Sequence, residues 1–336
     1  MKWLVRAFFL IVLLALAGVA GAYYLFDKLI TPANPEAKAP VIFEVRQGML
    51  GGEVAHELAA QGLIKDEFAF RMLLRFHPKG KNMRVGIYSL SPAETPWKLF
   101  EQLQTAKSLT RKATFPEGLV IHQVAEIAHK SNLIKDPARF RQMAFHDGKS
   151  FGEMFPANLE GYLLPDTYEF PYKCDEQVVL QRFTDEFRSH VEPLWAKYKA
   201  KSPLQDLNQV VILASLVERE SQVDGERPLI AGVYINRIRK GMRLECDATI
   251  QYALGKQKPI LTFEDLKIDS PYNTYRVEGL PPGPIANPGI RSLKAAMAPT
   301  PSKFFFYVRN DIKNDGSHVF GKTYDEHIAN CNRYQR

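Results

Sequence analysis

Val210-Val211-Ile212-Leu213-Ala214-Ser215-Leu216-Val217-Glu218-Arg219-Glu220-Ser221 is the stretch around which the chain is organised. It reads as an apolar helix that carries two carboxyl groups at its polar end. Such a setting can raise a carboxyl pKa, and a raised pKa lets the acid donate a proton near neutral pH. Glu218 and Glu220 are two positions apart, so on a helix they face different sides and do not form the facing pair of an ordinary glycosidase. At most one of them is central. Glu218 follows Ser215 and Ala214 by three and four positions, which sets it above small side chains where a pocket floor could lie. Spacing alone allows a second reading, in which both are solvated helix-end carboxylates, one paired with Arg219 or Arg227.

Around this stretch, 336 residues with 46% hydrophobic and 24% charged composition suffice for two or three domains with proper cores. The net charge of +7 comes from Lys and Arg scattered along the chain. With no zinc-ligand spacing and no RNP-like run, nucleic acid is not an expected partner. Cys174, Cys246 and Cys331 are odd in number and far apart, so at most one bridge could form. The eight His residues show no HExxH spacing, and neither a GxSxG elbow nor a P-loop is present. No metal and no cofactor are therefore expected.

Upstream, residues 7–26 form an uncharged apolar run, AFFLIVLLALAGVAGAYYLF, preceded by Lys2 and Arg6. At about 1.5 Å per helical residue it crosses a hydrocarbon core of about 30 Å. The preceding positive charges predict a cytoplasmic N-terminus, residues 1–6, and an exported body. Ala15-Leu16-Ala17 and Ala20-Gly21-Ala22 resemble cleavage sites of a signal peptide, whereas the aromatic continuation Tyr23-Tyr24-Leu25-Phe26 favours a retained anchor. The Pro- and Ala-rich residues 27–40 read as an extended tether.

A degenerate repeat with an offset of 70 follows. Val45-Arg46-Gln47-Gly48 corresponds to Phe115-Pro116-Glu117-Gly118, Leu63-Ile64-Lys65-Asp66 to Leu133-Ile134-Lys135-Asp136, and Phe70-Arg71 to Phe140-Arg141. Each copy reads as a strand, a turn glycine, a helix, and a second helix opening at an Asp cap; chance likeness of short helices is the alternative. Val85-Gly86-Ile87-Tyr88-Ser89-Leu90 reads as a returning strand and the segment from Thr95 as a capped helix with Pro96 in its first turn. Further on, helices are predicted near 177–200, 207–222 and 228–240, with strands at 304–308 and 318–320. Residues 270–289 form a Pro- and Gly-rich loop, more often a binding surface than a linker. Glu160-Gly161-Tyr162-Leu163-Leu164-Pro165-Asp166-Thr167-Tyr168 sets aromatic rings beside carboxylates, which suits either a sugar wall or a structural turn with core tyrosines.

Taken together, Ala214-Ser215-Leu216-Val217-Glu218-Arg219-Glu220, Glu226-Arg227, Val233-Tyr234-Ile235-Asn236-Arg237, Gly241-Met242-Arg243-Leu244, the Glu160–Tyr168 run, Ser270-Pro271-Tyr272-Asn273-Thr274-Tyr275 and Gly279-Leu280-Pro281-Pro282-Gly283-Pro284-Ile285 resemble the YceG-like, or MltG-type, endolytic murein transglycosylases. The resemblance runs from the anchor to the C-terminus. It implies an α+β protein: a transmembrane helix, a LysM-like small α+β subdomain at residues 41–110, and a mixed α+β catalytic domain at residues 111–336. It further implies a lyase of the bacterial inner membrane that acts on nascent peptidoglycan glycan strands beside their synthases.

The first Glu of the family's motif falls on Glu218, which makes it the expected catalytic acid and base. Glu226, Asp247, Tyr272, Asn273, Thr274 and Asn287 are the expected substrate-binding or orienting residues. Where the family usually has Ser/Thr-Asp-Pro-Thr, this chain has Cys246-Asp247-Ala248-Thr249, which predicts a looser turn. The expected reaction cleaves the MurNAc–GlcNAc β-1,4 bond and leaves 1,6-anhydroMurNAc ends, limiting glycan elongation. The rivals are a membrane-tethered glycan-binding scaffold without catalysis, and a muramidase that uses water.

Overall fold

Twenty-nine residues form the first helix, α1 (Lys2–Ile30). The computed structural model describes residues 2–80, 82–172 and 174–335. Trp3–Ile30 is long and apolar enough to cross a membrane, at about 42 Å for about 1.5 Å per residue. The helix continues past residue 26 because its last turns have partners. Leu29 packs on the core of the first unit, and Tyr24 Oη donates to Asp66 Oδ2 at 2.5 Å. Just beyond it, Asn34 N donates to Pro92 O at 2.8 Å. Residues 27–40 are thus partly helical and partly anchored, not the free extended tether expected of a Pro- and Ala-rich run.

Contacts divide the chain into two units, Met1–Arg111 and Lys112–Arg336. In the first, β1 (Val41–Val45), α2 (Gly51–Ala60), α3 (Glu67–Phe76), β2 (Gly86–Leu90) and α4 (Pro96–Thr105) follow α1. β1 and β2 are antiparallel, from Val41 opposite Leu90 to Val45 opposite Gly86. Their inward side chains Phe43 and Tyr88 close over Leu58, Phe70 and Phe100, all buried. Asp66 caps α3 by accepting from Ala69 N at 2.9 Å, and Thr95 caps α4 by accepting from Lys98 N at 3.2 Å.

The second unit opens with the same sequence of elements: β3 (Thr110–Thr114), α5 (Ile121–Lys130), α6 (Pro137–His146) and β4 (Thr167–Pro171). Its two helices start 70 positions after their counterparts, at 121 against 51 and at 137 against 67. Gly48 and Gly118 share a left-handed backbone, with φ of 83° and 81°. Each copy has a closing strand, since β1 pairs with β2, at the predicted returning strand, and β3 with β4, which the sequence reading did not include.

The rest of the unit is α7 (Glu176–Tyr198), α8 (Leu207–Glu220), α9 (Arg227–Arg239), α10 (Asp247–Ala253), α11 (Ile290–Met297), the antiparallel hairpin β5 (Phe306–Arg309) and β6 (His318–Gly321), and α12 (Tyr324–Tyr334). Every residue of α8 from Val210 to Val217 is buried, because the helix is packed between α9 and α11. Asp206 fixes its start by accepting from Gln209 N at 2.8 Å. Tyr162 and Tyr168 are also core residues, 1% and 3% exposed. Their hydroxyls donate to Asn208 Oδ1 and to Leu164 O, so of the two readings of this segment the structural turn with core tyrosines is the one that holds. All three cysteines are free.

Gly161 sits at φ +86°, and a Cβ there would lie 2.6 Å from Pro284 Cβ and 2.7 Å from Val211 Cγ1. Backbone handedness and close approach both demand glycine, so Gly161→Ala is expected to lower unfolding stability by about 3 kcal/mol. Urea denaturation checks this, and an unchanged midpoint would show that loop and helix are not in rigid contact.

Candidate active site

Glu218 lies in the last turn of α8, where the helix dipole disfavours a carboxylate. Two neighbours offset this. Oε1 accepts from Arg227 Nη1 at 3.0 Å, and Oε2 accepts from the backbone N–H of Gly289 at 3.0 Å. Gly289 is the N-cap of α11, so the positive end of a second helix faces the carboxyl group. The two side chains are nearly enclosed, 6% exposed for Glu218 and 7% for Arg227. Of the two readings that spacing left open, the solvated helix-end carboxylate is therefore excluded, while the pairing with Arg227 is real but buried. The setting is also more polar than an apolar helix end suggests.

Arg227, in the first turn of α9, is held on every side. Nη1 also donates to Ser292 Oγ at 2.5 Å, Nε donates to Asp224 Oδ1 at 3.2 Å, and Nη2 lies 3.9 Å from Glu117 Oε2. Arg291 links the same two acids, at 2.5 Å to Asp224 and 3.3 Å to Glu117. The Arg227 hydrogen bond, reinforced by the charge of Arg291, holds the Asp224 carboxyl below its usual range. A Cβ on Gly289 would fall 1.9 Å from Glu117 Oε1, so glycine is what lets Glu117 pack against this N-cap. Glu117, Asp224, Arg291 and Ser292 escaped the sequence reading. The Pro-Glu-Gly turn at 116–118 and the arginine pair were the available signals.

Asn287, a predicted site residue, is buried and supports this arrangement from behind. Its Oδ1 accepts from Leu163 N at 2.9 Å, and its Nδ2 donates to Leu119 O at 2.9 Å and to Glu160 Oε1 at 3.2 Å. Backbone bonds to Gly118 and Leu119 complete the knot. Glu160 is 1% exposed and accepts from Ile121 N at 3.1 Å. Burial pushes its carboxyl up to about 8, although these hydrogen bonds pull the other way.

The other predicted residues are elsewhere. Glu226 accepts from His318 N at 3.1 Å and meets His318 Nδ1 at 2.8 Å, tying α9 to β6; its sequence neighbour Arg227 is the one that reaches Glu218. Asp247 accepts from Tyr275 Oη at 2.6 Å. Asn273 and Thr274 are fully buried. Asn273 Nδ2 donates to Leu266 O and Ile268 O, and Thr274 Oγ1 accepts from Cys246 N at 3.0 Å and meets Thr249 Oγ1 at 2.9 Å. Their polar atoms are engaged inside the protein, so they shape the 270–289 loop instead of presenting hydrogen bonds to a ligand. The same bonds brace the Cys246-Asp247-Ala248-Thr249 turn, which is not loose. Tyr272 packs against Tyr252 with ring centres 4.9 Å apart and the rings tilted by 49°.

Glu220, on the other side of α8 as its spacing requires, accepts from Tyr307 Oη at 2.9 Å and from Cys246 Sγ at 3.3 Å. Burial raises its pKa. Next to Glu218, Gly118 separates the acid from a cleft of about 530 Å³ lined by Arg219, Tyr252 and Glu160 among others. A Cβ on Gly118 would touch Glu218 Cγ at 3.8 Å.

The profile described as YceG-like family covers residues 43–333, and the chain belongs to that family. It is 31% identical over 334 residues to a Bacillus subtilis protein named endolytic murein transglycosylase, covering 94% of this chain and 91% of that relative. A Streptococcus pneumoniae protein of the same name is 26% identical, covering 95% of this chain but 62% of the relative. Among solved structures, a YceG-like protein from Listeria monocytogenes superposes with a TM-score of 0.58 at 27% identity, covering 87% of this chain and 99% of that one.

Removing the guanidinium in Arg227→Ala leaves Glu218 buried without its cation, and stability should fall by about 3 kcal/mol or more; Arg227→Lys should recover part of the loss in the same urea titration. Glu160 titrates higher in the folded chain than its ordinary 4.5. The stability linked to its proton is thus fully present below that ordinary value and lost as pH rises through about 8. Glu160→Gln should flatten the decline of the unfolding midpoint between about pH 5 and pH 8.5; a decline as steep as that of the parent would assign it to other groups.

Proposed function

We propose that this chain is an endolytic peptidoglycan lytic transglycosylase in which Glu218 is both acid and base. The observation that carries the reading is the alignment of 94% of the chain with a relative of that name. The site supports it, because a nearly enclosed carboxyl group, held by two donors that fix both of its oxygens, stands next to Gly118 and Arg219, which line a cleft.

In the proposed reaction, protonated Glu218 gives its proton to the glycosidic oxygen between MurNAc C1 and GlcNAc as the C1–O bond breaks. The carboxylate then takes the proton of the muramyl C6 hydroxyl, whose oxygen attacks C1. Glu218 ends protonated again, the muramyl unit carries a 1,6-anhydro ring, and no water is consumed. An intramolecular nucleophile has a high effective concentration, so a second facing carboxylate is not required. Loading the proton on Oε1 requires Arg227 Nη1 to withdraw from that atom. Ser292 Oγ and Asp224 Oδ1 already bond the guanidinium, so withdrawal leaves no stranded charge.

The apolar α1 is read as a single-pass anchor in the inner membrane with its N-terminus cytoplasmic, which would confine cutting to strands near the bilayer and near their synthases. The order strand, helix, helix, strand in the first unit supports a LysM-like glycan-binding reading. It also carries a cleft of about 660 Å³ lined by Arg46, Arg71 and Arg75.

Mass spectrometry of uncrosslinked glycan strands after incubation with the protein should detect new internal 1,6-anhydro ends. Glu218→Gln should cut their formation by about 10²-fold to 10⁴-fold. Reducing ends in their place would indicate hydrolysis by water, and strand binding without any cut by the folded parent would indicate a scaffold.

A further inference from the structure

The cleft beside Glu218 contains a cation with no acidic partner. Arg219, half-buried, donates from Nη1 to Gly118 O at 3.3 Å, and its guanidinium lies against the Gln257 amide. Both neighbours are neutral, and among the described residues no carboxylate lies within ion-pair distance of it. Lys256 adds a second cation to the same wall. Of the two acids that line the cleft, Glu126 is exposed and 3.8 Å from Lys130, and Glu160 at the floor already accepts from Ile121, Asn287 and Tyr252. Burial pushes the Glu160 carboxyl up to about 8, so near neutral pH it adds little opposing charge.

The other lining suits a peptide better than a bare sugar chain. Gln123, Gln251 and Gln257 line it with amide groups of the kind that pair with a peptide backbone, one atom of each already bonded, to Val120 N, Lys258 O and Arg219, and Phe145 and Tyr252 offer apolar surface for small side chains. The volume, about 530 Å³, falls in the range of about 300–1,000 Å³ typical of ligand pockets. An uncharged glycan backbone gives Arg219 nothing to pair with. Accepting the proposed reaction, the muramyl ring that faces Glu218 carries on its O3 a lactyl group extended by a peptide with free carboxylates.

We propose that this cleft binds the carboxylate-bearing peptide stem of the muramyl unit at the scissile bond, with Arg219 as its anchor, so that the enzyme selects stem-bearing over stripped glycan. Arg219 is adjacent to Glu218 on α8, and Gly118, which lines the cleft, lies against both side chains, so stem binding and placement of the glycosidic oxygen are coupled through one short piece of backbone.

The test compares cleavage by the full chain, in detergent, of glycan strands with stems and of strands stripped by an amidase. The parent should prefer stem-bearing strands, and Arg219→Gln should reduce the ratio of the two rates about tenfold, as expected for loss of one charge-assisted hydrogen bond. Arg219→Lys should retain part of the preference, and Lys256→Gln, at the exposed rim, should shift it in the same direction. A soluble muramyl peptide titrated calorimetrically should bind the parent and the Glu218→Gln variant alike, and Arg219→Gln about tenfold more weakly. No preference in the parent, or an equal loss on both strands in Arg219→Gln with unchanged peptide binding, overturns the stem site and assigns the cleft to the sugar chain. Absence of cleavage on either strand by the parent, with peptide binding that still depends on Arg219, overturns the reaction and leaves the stem site standing.

Discussion

The contact between Glu218 and Arg227 is the constraint on which the second unit depends. Two opposite charges are buried where α8, α9 and α11 meet, and each is tolerable there only because the other is present. The helices cannot shift far without stranding one of them. The cost of keeping an ion pair out of water is offset by neutral and charged partners around it: the Gly289 N–H on one side, Ser292, Asp224 and Glu117 on the other. A carboxyl group held this way has little positional freedom, which is what an acid that must address a single oxygen atom requires.

Behind that pair, a buried polar knot does the positioning. Glu160 and Asn287 join three segments distant in sequence: the 118–121 turn, the 160–163 turn and the loop that leads to Gly289. Because the knot is inside, each polar group must find a partner or pay the desolvation cost in full. The same rule explains why Asn273 and Thr274 are structural. A fully buried amide or hydroxyl with all its hydrogen bonds made has nothing left to offer a ligand.

Local elements were largely readable before the tertiary structure. The strand at 41–45, the helices near 176–198 and 207–220, and the hairpin strands near 306 and 318 all come from short-range periodicity, caps and turn residues. The 70-residue repeat was legible too, since Asp66 and Asp136 begin equivalent helices by the same capping chemistry. Where the reading went astray, the reason was long-range contact. Residues 27–34 look like a tether but are caught by Pro92 and the first core, and for Tyr162 and Tyr168 only the interior decides between a sugar wall and a structural turn.

From the residues alone, an apolar helix with Glu218 and Glu220 at its polar end follows, because helix periodicity is local, and the family motif is what singles out Glu218. Its surroundings do not follow. Arg227 rather than Glu226 turns toward it, Gly289 donates to it across 71 positions of sequence, and Glu117 and Arg291 close the network from 174 positions apart. Hydrogen bonds and ion pairs between distant segments depend on side-chain direction after packing, and spacing along the chain holds no record of that direction.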